Sequence, residues 1–160
     1  MDEKEQLNQA LNRAYYFLKF RPRSVKEMRE YLEKKAKRFR WDERIVDAAM
    51  RDLVELKLID DHQFIEWFVQ QRSMPRPKAI FLLKQRLRQF GVAKEAVDEY
   101  FEENQFDELK MAEKAVSSRL QQWKSLENQK RFQKLSGFLT RRGFRYDIIK
   151  QIIAKWQEEE

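Results

Sequence analysis

The sequence has no cysteine, and only three glycines, three prolines and one histidine in 160 residues. Without cysteine there is no disulfide framework, no thiol nucleophile and no thiolate metal site. So few glycines and prolines, with few β-branched runs, leave little of the punctuation that strands and hairpins need, and helices are favoured throughout. No apolar run approaches the roughly twenty residues that span a bilayer, and the opening MDEKEQLNQA is polar and acidic. The expectation is a soluble cytoplasmic chain with no signal peptide, anchor or membrane partner.

Aromatic residues are plentiful, at 13% with twelve Phe, which disordered chains do not sustain. The net charge is +7, and it is distributed in blocks. Residues 13–40 carry eleven Lys/Arg against three Glu, whereas 41–71 carry three against eight acidic residues. Residues 72–94 hold seven basic and no acidic residues, 95–113 hold one against eight, and 130–145 hold six and none. Uniform solubilising charge would not alternate in this way. Separated basic patches suit a polyanion or an acidic protein surface, although helices with biased solvent faces would give a similar pattern.

Two of the three glycines share a context. LRQFGV (87–92) and LTRRGF (139–144) each place a leucine four residues before glycine and an apolar residue after it. Beyond Gly91 come Ala96, Val97, Tyr100 and Phe101; beyond Gly143 come Ile148, Ile149, Ile152 and Ile153. The spacing i, i+1, i+4, i+5 draws one apolar face on a helix. Ile45, Val46, Ala49, Met50 and Leu53 repeat it, with Trp156 matching Leu53, and LEKKA (32–36) standing for the glycine element. Upstream stripes are Val25, Met28, Tyr31, Leu32; Ile80, Leu83, Leu87; and Phe132, Leu135, Phe138, Leu139. A further helix precedes each, near 5–19, 61–73 and 108–123. The reading is all-α: three tandem three-helix, helix-turn-helix-like repeats near 1–58, 59–106 and 107–160, stacked as an elongated array that can curve. Each glycine would end its middle helix in a left-handed conformation. SVKE (24–27) reads as a capping box, Asp42 and Asp60 as N-caps, and Pro22, Pro75 and Pro77 as helix breaks.

Catalytic sets are not visible. His62 lies beside Asp60 and Asp61 without further ligands, FEENQFDE lacks the glycine turn of a calcium loop, and no glycine loop could cradle phosphates. Neither catalytic residues, metal nor cofactor are expected. Tyr15, Tyr16, Phe17 and Phe20 interleave with Arg13, Lys19, Arg21 and Arg23 as on a single-strand-binding surface, but their helical spacing favours core packing for most.

Four stretches carry a family resemblance: RSVKEMREYLEKK (23–35), LIDDHQFIEWFVQQR (58–72), IFLLKQRLRQFGVAKEAVDEY (80–100) and KLSGFLTRRGFRYDII (134–149). In order and spacing they resemble RecX, the bacterial regulator of the RecA recombinase. The departures are Ala36, where the family often has glycine, the turn SMPRPKA, and Ile65 with Glu66 after Phe64. The resemblance implies a monomeric, non-enzymatic modulator that lodges in the groove of the RecA–DNA filament. It would inhibit or modulate recombinase, ATPase and co-protease activities, with weaker, non-specific contacts to single- and double-stranded DNA. A general architectural DNA-binding protein with salt-sensitive phosphate contacts, and a helical adaptor without a nucleic-acid role, are the competing readings. The candidate contact residues are Arg72, Arg76, Lys78, Lys84, Arg86, Arg88, Arg141, Arg142 and Arg145, pushed outward by the apolar stripes of their helices.

Overall fold

The computed structural model describes residues 1–73 and 79–159, and every regular element among them is a helix. There are ten: α1 (Glu3–Leu18), α2 (Val25–Phe39), α3 (Ile45–Glu55), α4 (Asp61–Ser73), α5 (Ile80–Gln89), α6 (Lys94–Glu103), α7 (Glu108–Ser117), α8 (Leu120–Trp123), α9 (Asn128–Arg141) and α10 (Tyr146–Glu159). They follow as an all-α repeat of triplets, the last with one extra piece. The single helix expected near 108–123 is broken after Ser117. The Ser117 hydroxyl donates to the Lys114 carbonyl at 2.7 Å, and the Arg119 amide turns back only three residues, to Val116, at 2.8 Å. Paired serines offer the backbone this local alternative to the helical ladder.

Helix starts follow their side chains. Ser24 and Glu27 form the expected capping box of α2, and Asp2 with Glu5 forms another on α1. Asp60 accepts from the His62 amide at 2.9 Å at the start of α4. Asp42 differs: the N-cap of α3 is Arg44, and the Asp42 carboxylate accepts the Arg44 amide at 3.0 Å in the turn before it.

Helix ends carry the repeat. Gly91 and Gly143 both have φ +85°. The next amide then reaches back five residues, Val92 to Leu87 at 3.2 Å and Phe144 to Leu139 at 3.1 Å, which satisfies a carbonyl that the helix end leaves open. In the first triplet this device is not at Ala36. Helix α2 runs through Ala36 for one more turn, Arg40 takes the left-handed position at φ 54°, and the Trp41 amide bonds the Ala36 carbonyl at 3.1 Å. Trp41 is buried where Val92 and Phe144 are buried. The four extra residues are thus one helical turn, ended by a residue whose Cβ makes that conformation cost about 1–2 kcal/mol.

The chain divides into two compact units, Met1–Trp67 with Leu87–Val97, and Phe68–Arg86 with Asp98–Glu160. The first unit's core holds Met28, Leu32, Ile45, Val46, Ala49, Met50 and Leu53, with α1 packed on α3 and α2. Ala10 and Ala14 are fully buried, and their small side chains let α1 lie close to its neighbours. Aromatics of α1 and of the turn after it depart from the core expectation: Tyr15 and Tyr16 of the helix and Phe20 beyond it stay 42%, 61% and 65% exposed. Phe17 alone turns in, stacked on Tyr31 at 4.1 Å, with the Arg23 guanidinium 3.7 Å from its ring centre. The second unit's core gathers Ala112, Val116, Leu135, Phe138, Leu139, Ile149 and Ile152 from α7, α9 and α10, with Phe144 from the turn between the last two. Ile148 and Trp156 are half-buried against it.

One polar node stitches the first unit. Ser24 is fully buried; its hydroxyl donates to the Phe90 carbonyl at 2.7 Å and accepts from the Glu27 amide at 3.1 Å. The Asp61 carboxylate accepts from the Val25 amide at 2.9 Å, tying α4 to the N-terminus of α2. Burial raises the Asp61 pKa, Asp60 and Glu27 add to this, and the Val25 hydrogen bond opposes it. A carboxyl raised in the folded state contributes stability below its unfolded pKa and loses it as pH rises through the folded value. Asp61→Asn keeps an acceptor for Val25, so it should melt at or above the parent at pH 7 and lose that advantage as pH falls through the carboxyl's titration. Melting curves from pH 3 to 7 test this; a variant that melts increasingly below the parent as pH rises would contradict it. Asp61→Ala, which strands the Val25 amide, should melt lower throughout.

Candidate polyanion-binding surfaces

Six of the nine cations singled out in the sequence have described side chains. Arg76 and Lys78 lie outside the described residues, and Arg72 belongs to α4 with its side chain outside them. Lys84 is half-buried, with Nζ 3.2 Å from Asp98 Oδ1 and 5.6 Å from the centre of the Phe101 ring. The basic block is therefore neutralised in part by the following acidic helix, which a count along the chain does not reveal. Arg86 and Arg88 are exposed, and Arg88 donates to the Val92 carbonyl at 2.8 Å across the glycine turn. Arg141 and Arg145 are exposed, while Arg142 is half-buried with its guanidinium 4.5 Å from the centre of the Phe138 ring.

The structure brings Arg141 together with three cations that the sequence reading passed over. Arg119, Lys130, Lys134 and Arg141 line a cavity of about 660 Å³ against Trp123 and Phe138, with no carboxylate among the lining residues. Lys130, Lys134 and Arg141 make no ion pair among the described residues. Their spacing, with Gly137 between, places them on one face of α9, rising about 1.5 Å per residue. That stripe was visible in the sequence, but attention to the apolar stripe of the same helix and to its turn hid it. Gly137 is helical, and a Cβ there would lie 3.2 Å from an Arg141 guanidinium nitrogen, so the bare backbone gives Arg141 its room. The first turn of α9 has no acidic residue, and Lys130 sits there against the positive end of the helix dipole.

A second cationic region belongs to the first unit. Its extra turn of α2 contributes Lys37, Arg38 and Arg40, and Arg13 and Arg38 lie 4.7 and 5.5 Å from the centre of the Phe39 ring. Neither surface presents a nucleophile beside a base. What they can do is attract and hold a polyanion.

An all-α chain of helical triplets, with a cationic surface in each compact unit, defines the structural class. The chain belongs to the RecX family. Residues 10–53 match the model of the first three-helix domain of RecX, and residues 107–153 that of the third. A regulatory protein RecX from Oceanobacillus iheyensis is 30% identical over 161 residues, covering 100% of this chain and 58% of the relative. One from Halalkalibacterium halodurans is 30% identical over 164 residues, covering 98% and 59%. The chain thus spans somewhat over half the length of these relatives. In fold it is similar to the crystal structure of RecX from Lactobacillus salivarius, with TM-score 0.76, 19% identity, and coverage of 95% of this chain and 97% of that one. A second RecX crystal structure gives TM-score 0.71 at 24% identity, covering 94% and 72%. Among the described residues, no helix is long and apolar enough to cross a membrane.

Proposed function

We propose that this chain is a non-enzymatic regulator of the RecA recombinase, acting as a cytoplasmic monomer that binds the RecA–DNA filament and restrains its ATPase, recombinase and co-protease activities. The observation that carries this reading is the concavity between α8 and α9: four cations, three of them on α9, and no carboxylate around it, on a chain whose relatives are named regulatory proteins. A filament groove presents both phosphates and acidic side chains to such a face. Arg86, Arg142 and Arg145 of the same unit, and Arg88 of the first unit, are further candidate contacts.

The test is Lys130→Glu with Lys134→Glu and Arg141→Glu, all exposed positions whose exchange should leave melting nearly unchanged. Binding to RecA filaments, and to bare single- and double-stranded DNA, is compared at matched salt with RecA ATPase as the readout. The triple variant should lose filament binding at least tenfold at 0.15 M salt and relieve inhibition. If it folds and inhibits RecA like the parent, this face is only solvated. An architectural DNA-binding protein would instead bind bare duplex as well as filament, with a log–log salt slope falling by about 0.9 for each phosphate contact removed.

A further inference from the structure

The geometry points to two copies of one plug-and-socket joint, in which the glycine turn of a triplet seats on the start of the preceding triplet's middle helix. It assigns Arg40 and Glu127 as the residues that keep the remaining plug and the remaining socket from pairing between copies of the chain. This inference does not depend on the filament reading.

Ser24, Ala79 and Glu127 are equivalent positions. The carbonyl of each accepts the first bond of its middle helix, from Met28 at 3.1 Å, Leu83 at 3.2 Å and Arg131 at 2.9 Å. Ser24 and Ala79 are small and buried, and each donates to the carbonyl of the residue before a glycine. The Ser24 hydroxyl reaches the Phe90 carbonyl at 2.7 Å, and the Ala79 amide reaches that of Arg142 at 3.1 Å. The glycine then presses on the same helix. A Cβ at Gly91 would lie 2.6 Å from the Lys26 Cβ and closer still to its Cδ; one at Gly143 would lie 2.6 Å from Leu82 Cγ. The first joint lies wholly within the first compact unit, and the second wholly within the second.

Positive φ alone does not demand glycine in this chain. Arg40 and Lys57 hold φ 54° and 57° with side chains in place, and both are exposed. What separates Gly91 and Gly143 from them is the seat, which admits no Cβ. The turn at Arg40 is unseated: among the described residues, no hydrogen bond from another triplet reaches the Phe39 carbonyl. At the other end, Glu127 is exposed and makes no capping bond with its side chain. A free turn and a free seat on one molecule are the two halves of a head-to-tail contact that never closes. Repeat arrays therefore need end repeats that refuse a neighbour. Arg40 brings a Cβ to a seat without space for one, and a seated Glu127 would bury its carboxylate. Their opposite charges do not rescue the contact, because the seat closes to hydrogen-bond distance of the backbone and leaves neither side chain room.

The test uses the full chain without RecA or DNA. The first arm asks whether the seat excludes a side chain. Asparagine tolerates the left-handed conformation, so Gly91→Asn and Gly143→Asn isolate the contact. Each should raise the unfolding equilibrium constant about tenfold or more, whereas Arg40→Asn should leave it within about twofold of the parent. The second arm is sedimentation velocity over a hundredfold range of concentration. The parent, Arg40→Gly and Glu127→Ser should each sediment as a monomer throughout. An equimolar mixture of the two variants should form a one-to-one pair, the freed turn of one on the opened seat of the other. The double variant should sediment faster as concentration rises. A Gly91→Asn or Gly143→Asn protein that unfolds with the parent would overturn the joint. Association of the parent, or a mixture and a double variant that stay monomeric, would overturn the roles of Arg40 and Glu127.

Discussion

Gly143→Val is expected to destabilise the fold by about 2–6 kcal/mol, the sum of two penalties of about 1–3 kcal/mol each. The first is conformational: at φ +85° a β-branched residue meets its own backbone. The second is steric: a Cβ at this position would lie 2.6 Å from Leu82 Cγ and 2.8 Å from Cδ1, and Leu82 is itself half-buried. The turn is also fastened from outside, since the Ala79 amide donates to the Arg142 carbonyl at 3.1 Å, so the backbone has little room to relax. Gly137→Ala supplies the contrast. That glycine is inside α9, its added Cβ would meet only a mobile guanidinium at 3.2 Å, and alanine should stabilise the helix by about 0.5–1 kcal/mol. Chemical denaturation of both variants is the measurement. A Gly143→Val protein that unfolds with the parent would mean that position 143 is not left-handed.

Ile152→Ala is expected to cost about 2–5 kcal/mol, as large-to-small changes in packed cores do. Ile152 is 1% exposed on α10, in the cluster formed by Leu135, Leu139, Phe144 and Ile149. Truncation removes three carbons and leaves a cavity whose walls belong to three helices, which cannot all close in. Ile148, four residues away on the same helix but half-buried, should cost clearly less. Trp123 and Trp156 belong to the second unit and Trp41 and Trp67 to the first, so unfolding followed at single-tryptophan variants localises the loss. A loss below about half a kcal/mol would place Ile152 on the surface.

Much of the scaffold was legible because it rests on local rules. The i, i+1, i+4, i+5 pattern at Ile45, Val46, Ala49 and Met50 reports a buried helix face wherever it occurs, since 3.6 residues complete a turn. Gly91 and Gly143 announced left-handed helix ends because few other residues adopt positive φ without strain. The same logic misplaced the first triplet's turn: no glycine marks it, and only the backbone shows Arg40 in that role. On α1 the large aromatics drew attention away from Leu7, Ala10, Leu11, Ala14 and Phe17, whose spacing forms the true inner stripe. Small alanines bury completely where helices pack closely, and that closeness is not written in any local pattern.

Composition and periodicity by themselves determined that the chain is helical, repetitive, basic in blocks and without a visible catalytic set, because each of these follows from residues close in sequence. Only the tertiary structure decided which charges remain available. Lys84 meets Asp98 from the following helix, Arg29 meets Asp47 at 2.9 Å, and Asp61 closes on the Val25 amide, whereas Lys130, Lys134 and Arg141 converge with Arg119 on one concavity. The pairing of a charge depends on distances of a few ångströms between segments far apart in the chain, and those distances are set by how helices pack rather than by where residues fall in order.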